Sequence, residues 1–377
     1  MRAAQPHISG EGAVFGNPGA ANARRVEPVR DADAGLKRNI CTPRKNDVPA
    51  CWLMISCIMK YFLGMLRNIR IWLPSVVAVL AFLAQTGCGH DARALKDIFP
   101  RGDIFTVWAH SDIHPRGNAE MIHYETAVRD VADYIPGINA AVVAGDIVMG
   151  SRSAPVQYPW FLSVRKTAAI PFWCEIAGNH DAEDIPSFLR YTGKPLHYAA
   201  LFGNVLFICM SDEVYDHPTQ ISDAAFEWWK RLVIQNRDKI IVTMTHGCLA
   251  QSGLLASFDW GQRVEGSERF ARVLGEYPID MWISGHAHTP YYMNGKWSRP
   301  FWFKNILFID VSAIRKNKGT NIQSYILVFS KNSPDLAVLL RNHETHSFIA
   351  SRSLRHTLRH PFEWDGRTGG AVVSVPQ

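Results

Sequence analysis

Five short stretches of the sequence finish in residue types that hold metal ions. They are Asp112-Ile-His114, Gly145-Asp146, Gly178-Asn179-His180-Asp181, the lone His246 before Gly247, and Gly285-His286-Ala287-His288. Carboxylates, imidazoles and one amide make a mixed oxygen and nitrogen set. Such a set suits a borderline divalent cation, Mn, Fe or Zn, and it lacks the thiolates of a structural zinc site. A single histidine in any of these places is weak evidence. All five fragments in one chain, each at the end of an apolar run, form a strong constellation.

The apolar runs must position these side chains. "DIFTVWAH", "AAVVAG", "PFWCEIAG", "NVLFICMSD", "KIIVTMTH" and "DMWISGH" are short and rich in β-branched or aromatic residues, the signature of strands. Ligands of α/β sheets bind beyond the carboxyl ends of strands, where these residues fall. Gly145, Gly178 and Gly285 are read as the sharp turns that follow. In extended backbone, residues two apart face the same side, so Asp112 with His114, and His286 with His288, are each expected to converge on one point. Amphipathic helices are predicted over "GNAEMIHYETAVRDVADY", over "ISDAAFEWWKRLVIQNRD" with Ser222 as N-cap, and over "SERFARVLGEY" opening at Ser267. Asn294-Gly295 signals a hairpin between "PYYM" and "KWSRPFWF". "NILFIDVSAI", "SYILVFS" and "DLAVLLRN" then read as successive strands. The fold class is α/β with mixed sheets. Residues 346–377 show little periodicity and are expected to form a C-terminal surface extension.

Composition excludes some functions. The formal charge of +6 arises entirely ahead of residue 89, so the folded part carries no basic excess and nucleic-acid binding is not expected. Seven cysteines show no C-x-x-C pair, which argues against a zinc ribbon or a disulfide framework, and Cys174, Cys209 and Cys248 are expected as small buried hydrophobes. Residues 1–50 lack a sustained apolar period, and residues 1–64 are read as an unstructured or mis-assigned leader, with Met65 as an alternative translation start. From Met65 to Cys88, two arginines precede an apolar segment and then small residues, the order of a signal peptide or membrane anchor. The expected location is exported, periplasmic or membrane-anchored, with Cys88 a candidate lipidated residue because "AQTGC" resembles a lipobox.

In order and type, the chemical residues resemble the calcineurin-like metallophosphoesterase superfamily, whose pattern is D-x-H, G-D, G-N-H-[DE], H and G-H-x-H. The resemblance covers roughly residues 100–345. It implies a four-layer α/β/β/α sandwich with two mixed β-sheets and two divalent metal ions at one sheet edge. Asp112, His114 and His288 would hold one ion; Asn179, His246 and His286 would hold the other, with Asp146 bridging. His180 would donate a proton to the leaving oxygen, and Asp181 would orient it. The chemistry is coherent by itself: two cations about 3.5–4 Å apart clamp a phosphoryl group and acidify water. Histidine has the side-chain pKa nearest neutrality for protonating an alkoxide.

Met149 and His114 occupy positions that differ from the purple acid phosphatase pattern, and the intact G-N-H-D and G-H-x-H lean towards small bacterial phosphodiesterases. The expected substrate is a small phosphate ester, a phosphodiester in preference to a monoester, with a membrane contact through the N-terminal segment. His123, Trp173 and Trp260 are candidate substrate contacts. The Arg/His stretch from Arg352 to His360 is a candidate anion-facing or solvated surface. Rival readings are a DNA exonuclease on the same scaffold and a non-catalytic metal-binding envelope protein.

Overall fold

Strand β1 (Ile104–His110) has both faces covered: Phe105, Val107 and Ala109 enter one core cluster and Trp108 another. A two-residue period buried on both sides requires layers above and below. The computed structural model describes residues 103–366 apart from 136, 312 and 317–320, together with the backbone of 371–374. The expected leader, the expected signal peptide or anchor and Cys88 lie outside the described residues, and among those described no helix is long and apolar enough to cross a membrane.

The chain then alternates helices and strands. They are α1 (Asn118–Tyr134), β2 (Ala140–Val143), α2 (Ala154–Arg165), β3 (Trp173–Glu175), α3 (Ile185–Thr192), β4 (His197–Phe202), β5 (Val205–Met210), α4 (Asp223–Gln235), β6 (Ile240–Met244), α5 (Ser267–Glu276) and β7 (Met281–Ser284). The later strands pair antiparallel, except that β9 runs parallel to β7: β8 (Trp297–Ser298), β9 (Leu307–Asp310), β10 (Gln323–Ser330), β11 (Asp335–Asn342), β12 (Ser347–Phe348), β13 (Leu354–Thr357) and β14 (Ala371–Ser374). One mixed sheet runs β12-β11-β10-β1-β2-β3 with β13 also on β11; the other runs β14-β4-β5-β6-β7-β9-β8. Their facing sides share one core that includes Val107, Val142, Phe207, Val242, Ile283 and Leu327. Helices α1 to α3 cover the outer face of the first sheet, and α4 and α5 cover that of the second. The architecture is the expected four-layer sandwich. Burying each such aliphatic or aromatic side chain contributes about 1.5–3 kcal/mol, which makes the paired sheets a rigid base for the loops beyond them.

Several local expectations change. The segment from residue 346 is no surface extension: β13 pairs with β11, β14 pairs with β4, and Leu354, Leu358 and Phe362 pack between the sheets. Asn294-Gly295 closes no hairpin, because its groups bond elsewhere: Gly295 O accepts from Leu255 N, and Asn294 Oδ1 accepts from Arg352. Ser222 does cap α4, accepting from Ala225 N, whereas Gly266 caps α5 and the Ser267 hydroxyl donates to Val264 O. Trp228 and Trp229 are both buried, and the three late cysteines are buried as expected.

Candidate metal centre

The chemical residues sit just past the carboxyl ends of β1, β2, β3, β6 and β7. They are not extended there. Asp112, Asp146, His286 and His288 have φ of 54°, 56°, 67° and 48°. The left-handed region costs a non-glycine residue on the order of 1–3 kcal/mol and persists where surroundings enforce it. Asp112 N donates to Gly145 O at 3.0 Å, and Ile113 N and His114 N both donate to Asp146 O at 2.8 and 3.1 Å, so the first two loops lock each other. The same-side rule for extended backbone therefore does not place these pairs; tight interlocked turns do. Gly145 turns with φ 91°, but Gly178 serves close approach: a Cβ there would strike Asp146 Oδ1 and lie 2.8 Å from His246 Nε2.

Two triads result. In the first, His288 Nε2 is 2.8 Å from Asp112 Oδ1 and 3.2 Å from His114 Nε2. In the second, His246 Nε2 is 3.3 Å from Asp146 Oδ2 and 3.1 Å from His286 Nδ1. Asp146 Oδ2 is also 3.8 Å from His114 Nε2, which puts this carboxylate between the triads. Both triads have the ligand types and convergence to hold a metal ion, and His114, Asp146 and His180 form a third such group. His286 and His288 thus part company, one to each triad. Asn179 is 2% exposed, and its Oδ1 has no hydrogen-bond partner among the described residues. The His180 ring stacks on that of His114 at 4.8 Å, and its backbone N–H donates to Asp146 Oδ1.

The hydrogen-bond pattern fits cations. His246 Nδ1 faces Ala144 O at 2.7 Å and His286 Nε2 faces Gly261 O at 3.1 Å; a carbonyl only accepts, so these nitrogens carry the protons. The other ring nitrogens, His246 Nε2 and His286 Nδ1, then point at each other as ligand atoms, and an outward N–H···O=C bond is the usual support of a ligating histidine. Burial pulls His114 down to about 3 and His286 down to about 4, so both are neutral and ready to bind near pH 7. His246 is also opposed by burial, but Asp146 and Asp112 outweigh it and hold its pKa well above the ordinary value. Burial raises Asp112, and His288, His246 and His114 together bring it well below the carboxylate range. An orphaned amide oxygen, facing ring nitrogens and two ionised carboxylates in one buried spot form a donor set that two cations would satisfy.

Residues 105–290 match the family model described as calcineurin-like phosphoesterase. This segment is a calcineurin-like phosphoesterase domain. It is accordingly the domain of a hydrolase acting on phosphoric ester bonds. Among solved structures, a dimetal phosphatase from Danio rerio superposes with a TM-score of 0.52 at 11% identity, over 67% of this chain and 98% of that one. A purple acid phosphatase from yellow lupin (Lupinus luteus) seeds gives a TM-score of 0.52 at 12% identity, over 69% of this chain and 55% of that one. At these identities the likeness speaks for the shared fold alone. No curated protein matches the sequence.

Within the phosphoesterase domain, six of the seven expected ligands, Asp112, His114, Asp146, His246, His286 and His288, come together with His180, and Asn179 is buried with its amide oxygen unpartnered, but Asp181 takes another part. Its buried carboxylate accepts from Ile147 N, Val148 N, Gly178 N and the Tyr158 hydroxyl, so it pins the Asp146 turn and does not orient the His180 ring. Burial and the charge of Asp146 push Asp181 up to about 7. Trp173 is core, 8% exposed and edge-on to Trp108, which removes it as a substrate contact. Trp260 is 59% exposed beside Gly261, at the rim next to His286, and His123 Nδ1 accepts from Lys316 N, the residue after Arg315. The Arg352–His360 stretch is tied inward: Arg359 clasps Asp280, and His360 Nε2 meets Arg237 O. Three neighbours of the site were not expected from sequence, and Met149, noted there only for its departure from a family pattern, makes a fourth. Arg315 faces His288 and His114, His217 Nδ1 lies 3.2 Å from His286 Nε2, the Met149 sulfur lies 3.4 Å from His114 Nδ1, and the buried Asp212 is pushed up to about 8, chiefly by desolvation. Only Asp212, closing the "NVLFICMSD" strand, followed the end-of-strand rule that found the ligands.

Proposed function

We propose that the protein is an exported, dinuclear metal-dependent phosphoesterase that prefers phosphodiesters. The observation that carries this reading is the convergence of two three-residue ligand sets on the Asp146 carboxylate, with His180 beside them. Asp112, His114 and His288 would hold one divalent ion, Mn, Fe or Zn. Asn179, His246 and His286 would hold the second, and Asp146 would touch both. When bound, such a pair supplies Lewis-acid activation of the phosphoryl group and acidifies water.

The chain's own residues do the rest. Asp181 and Tyr158 fix the turn that aims Asp146, while the Ala144 and Gly261 carbonyls fix the tautomers of His246 and His286. The His180 ring is half-buried, lies against His114, and reaches towards Tyr215 at 6.1 Å on the open side. There its imidazolium can pass a proton to the departing oxygen, a contribution of about 10²–10⁴ in rate. Export is supported by the order of charged, apolar and small residues from Met65 to Cys88.

The test is a substrate panel with the Mn²⁺-loaded protein. Turnover of bis-p-nitrophenyl phosphate above p-nitrophenyl phosphate supports the diesterase reading, and the reverse order makes the protein a monoesterase on the same site. Metal uptake with no turnover of either ester, or of cyclic nucleotides, would leave a non-catalytic metal-binding protein.

A further inference from the structure

Arg315 follows β9 in a loop that crosses the first triad. It is 5% exposed, yet among the described residues no carboxylate stands within ion-pair distance of it, and its Nε is buried without a partner. The guanidinium instead meets imidazoles. Nη2 is 3.0 Å from His288 Nδ1, and Nη1 is 3.5 Å from both His114 Nδ1 and His114 O. Asp112, Glu120 and Asp146 act on it only from beyond that distance. A buried cation with no anion in contact is costly, so a missing contact anion is the first thing to look for.

The tautomers say when it arrives. A guanidinium only donates, so His288 Nδ1 must accept, and the proton of His288 sits on Nε2, where it meets Asp112 Oδ1 at 2.8 Å. That Nε2 is the nitrogen aimed at His114 and Asp112, and it can ligate a cation only when it is unprotonated. Loading the first triad therefore leaves the His288 proton on Nδ1, where a donor would face the Arg315 donor. The Arg315–His288 bond cannot survive. The backbone stays in place, since Ile314 N donates to Ser111 O, Lys316 N donates to His123 Nδ1, and Lys316 Nζ pairs with Glu344. What moves is the long side chain, beside a His288 ring that is 22% exposed and open to solvent.

We infer that Arg315 is a phosphate ligand of the loaded centre: cation binding frees its guanidinium from His288, and the freed fork takes oxygens of the ester's phosphate. This rests on the dinuclear reading above. Arginine suits the task because its planar fork matches two phosphate oxygens at once. Metal loading and anion binding are thereby coupled through one side chain, with no backbone change.

The experiment is calorimetric titration of inorganic phosphate into the parent, Arg315→Gln and Arg315→Lys proteins, each with and without Mn²⁺, with metal content measured separately. All three are expected to hold two ions per chain. With metal, Arg315→Gln should bind phosphate roughly 10- to 100-fold more weakly, the range of a hydrogen bond between charged groups. Arg315→Lys should fall between, keeping the charge without the fork. Without metal, the substitutions should make no difference. Parental phosphate affinity in a fully loaded Arg315→Gln protein would overturn the inference, and so would loss of the first ion in both variants, which would make Arg315 a support for the ligands. A parent that takes up no metal would instead remove the dinuclear reading on which it rests.

Discussion

Two clusters of histidines and carboxylates in this molecule are built from the same residue types and do opposite things. Around Asp130, on α1, every donor finds an acceptor: Arg341 grips both oxygens at 2.8 and 2.7 Å, and His343 and His346 each meet one through Nδ1, at 2.8 and 2.7 Å. The chain continues through His343 Nε2 to Ser324 Oγ, which accepts from Trp108 Nε1. Burial would raise Asp130, but Arg341, His343 and His346 hold it far below the carboxylate range. In the metal centre, ring nitrogens crowd against one another with no bridging partner that satisfies them all, and an amide oxygen is orphaned. A closed network is structure; an open one, with lone pairs converging, is a site waiting for cations.

The largest expected break in this contrast comes from Asp146→Ala, which removes the one carboxylate between the triads. Metal content should fall to background, and activity by about three orders of magnitude or more, because both ions act together. His180→Ala should sharpen the contrast. Two ions should remain, measured by plasma mass spectrometry, while kcat falls by about 10²–10⁴. Loss of metal in that variant would make His180 a ligand instead of an acid.

These assignments also show what the sequence carries. The strand ends were legible because each apolar run stops at a ligand type, and helix α4 because Ser222 opens a clean amphipathic period. Helix α2 was hidden by Pro155 and Pro159, which read as breakers yet sit at the start and inside of a helix held by packing against the first sheet. Segment 346–374 was hidden because its Arg and His residues satisfy partners far away in sequence, such as Arg359 with Asp280. Arg315 was hidden for the same reason: no local pattern says that a loop 27 residues beyond His288 returns to it.

The other side of the contrast is tested by Asp130→Ala. It strands a buried Arg341 and should cost about 3–5 kcal/mol in urea unfolding, the range for breaking a buried ion pair. Metal stoichiometry of the folded protein should not change. If metal were lost instead, the two clusters would not be separate in function.

A smaller, pH-dependent effect is expected at Asp212, beside the open cluster. Its carboxyl stays protonated in the metal-free folded protein up to about pH 8, whereas the unfolded chain releases that proton near pH 4. The parent therefore loses stability from this group as pH rises between those values. Asp212→Asn has nothing to release, so its stability relative to the parent should grow over the same window, by at most about 1.4 kcal/mol per pH unit, and level off above it. Chelated protein unfolded in urea at pH 5, 6, 7 and 8 gives the measurement, and a difference independent of pH would contradict the assignment.

The most direct measurement is anomalous diffraction from crystals grown with Mn²⁺. Two peaks are expected, one on Asp112, His114 and His288 and the other on Asn179, His246 and His286, with Asp146 between them and none at Asp130. A single ion, or ions bound away from Asp146, would contradict the dinuclear centre.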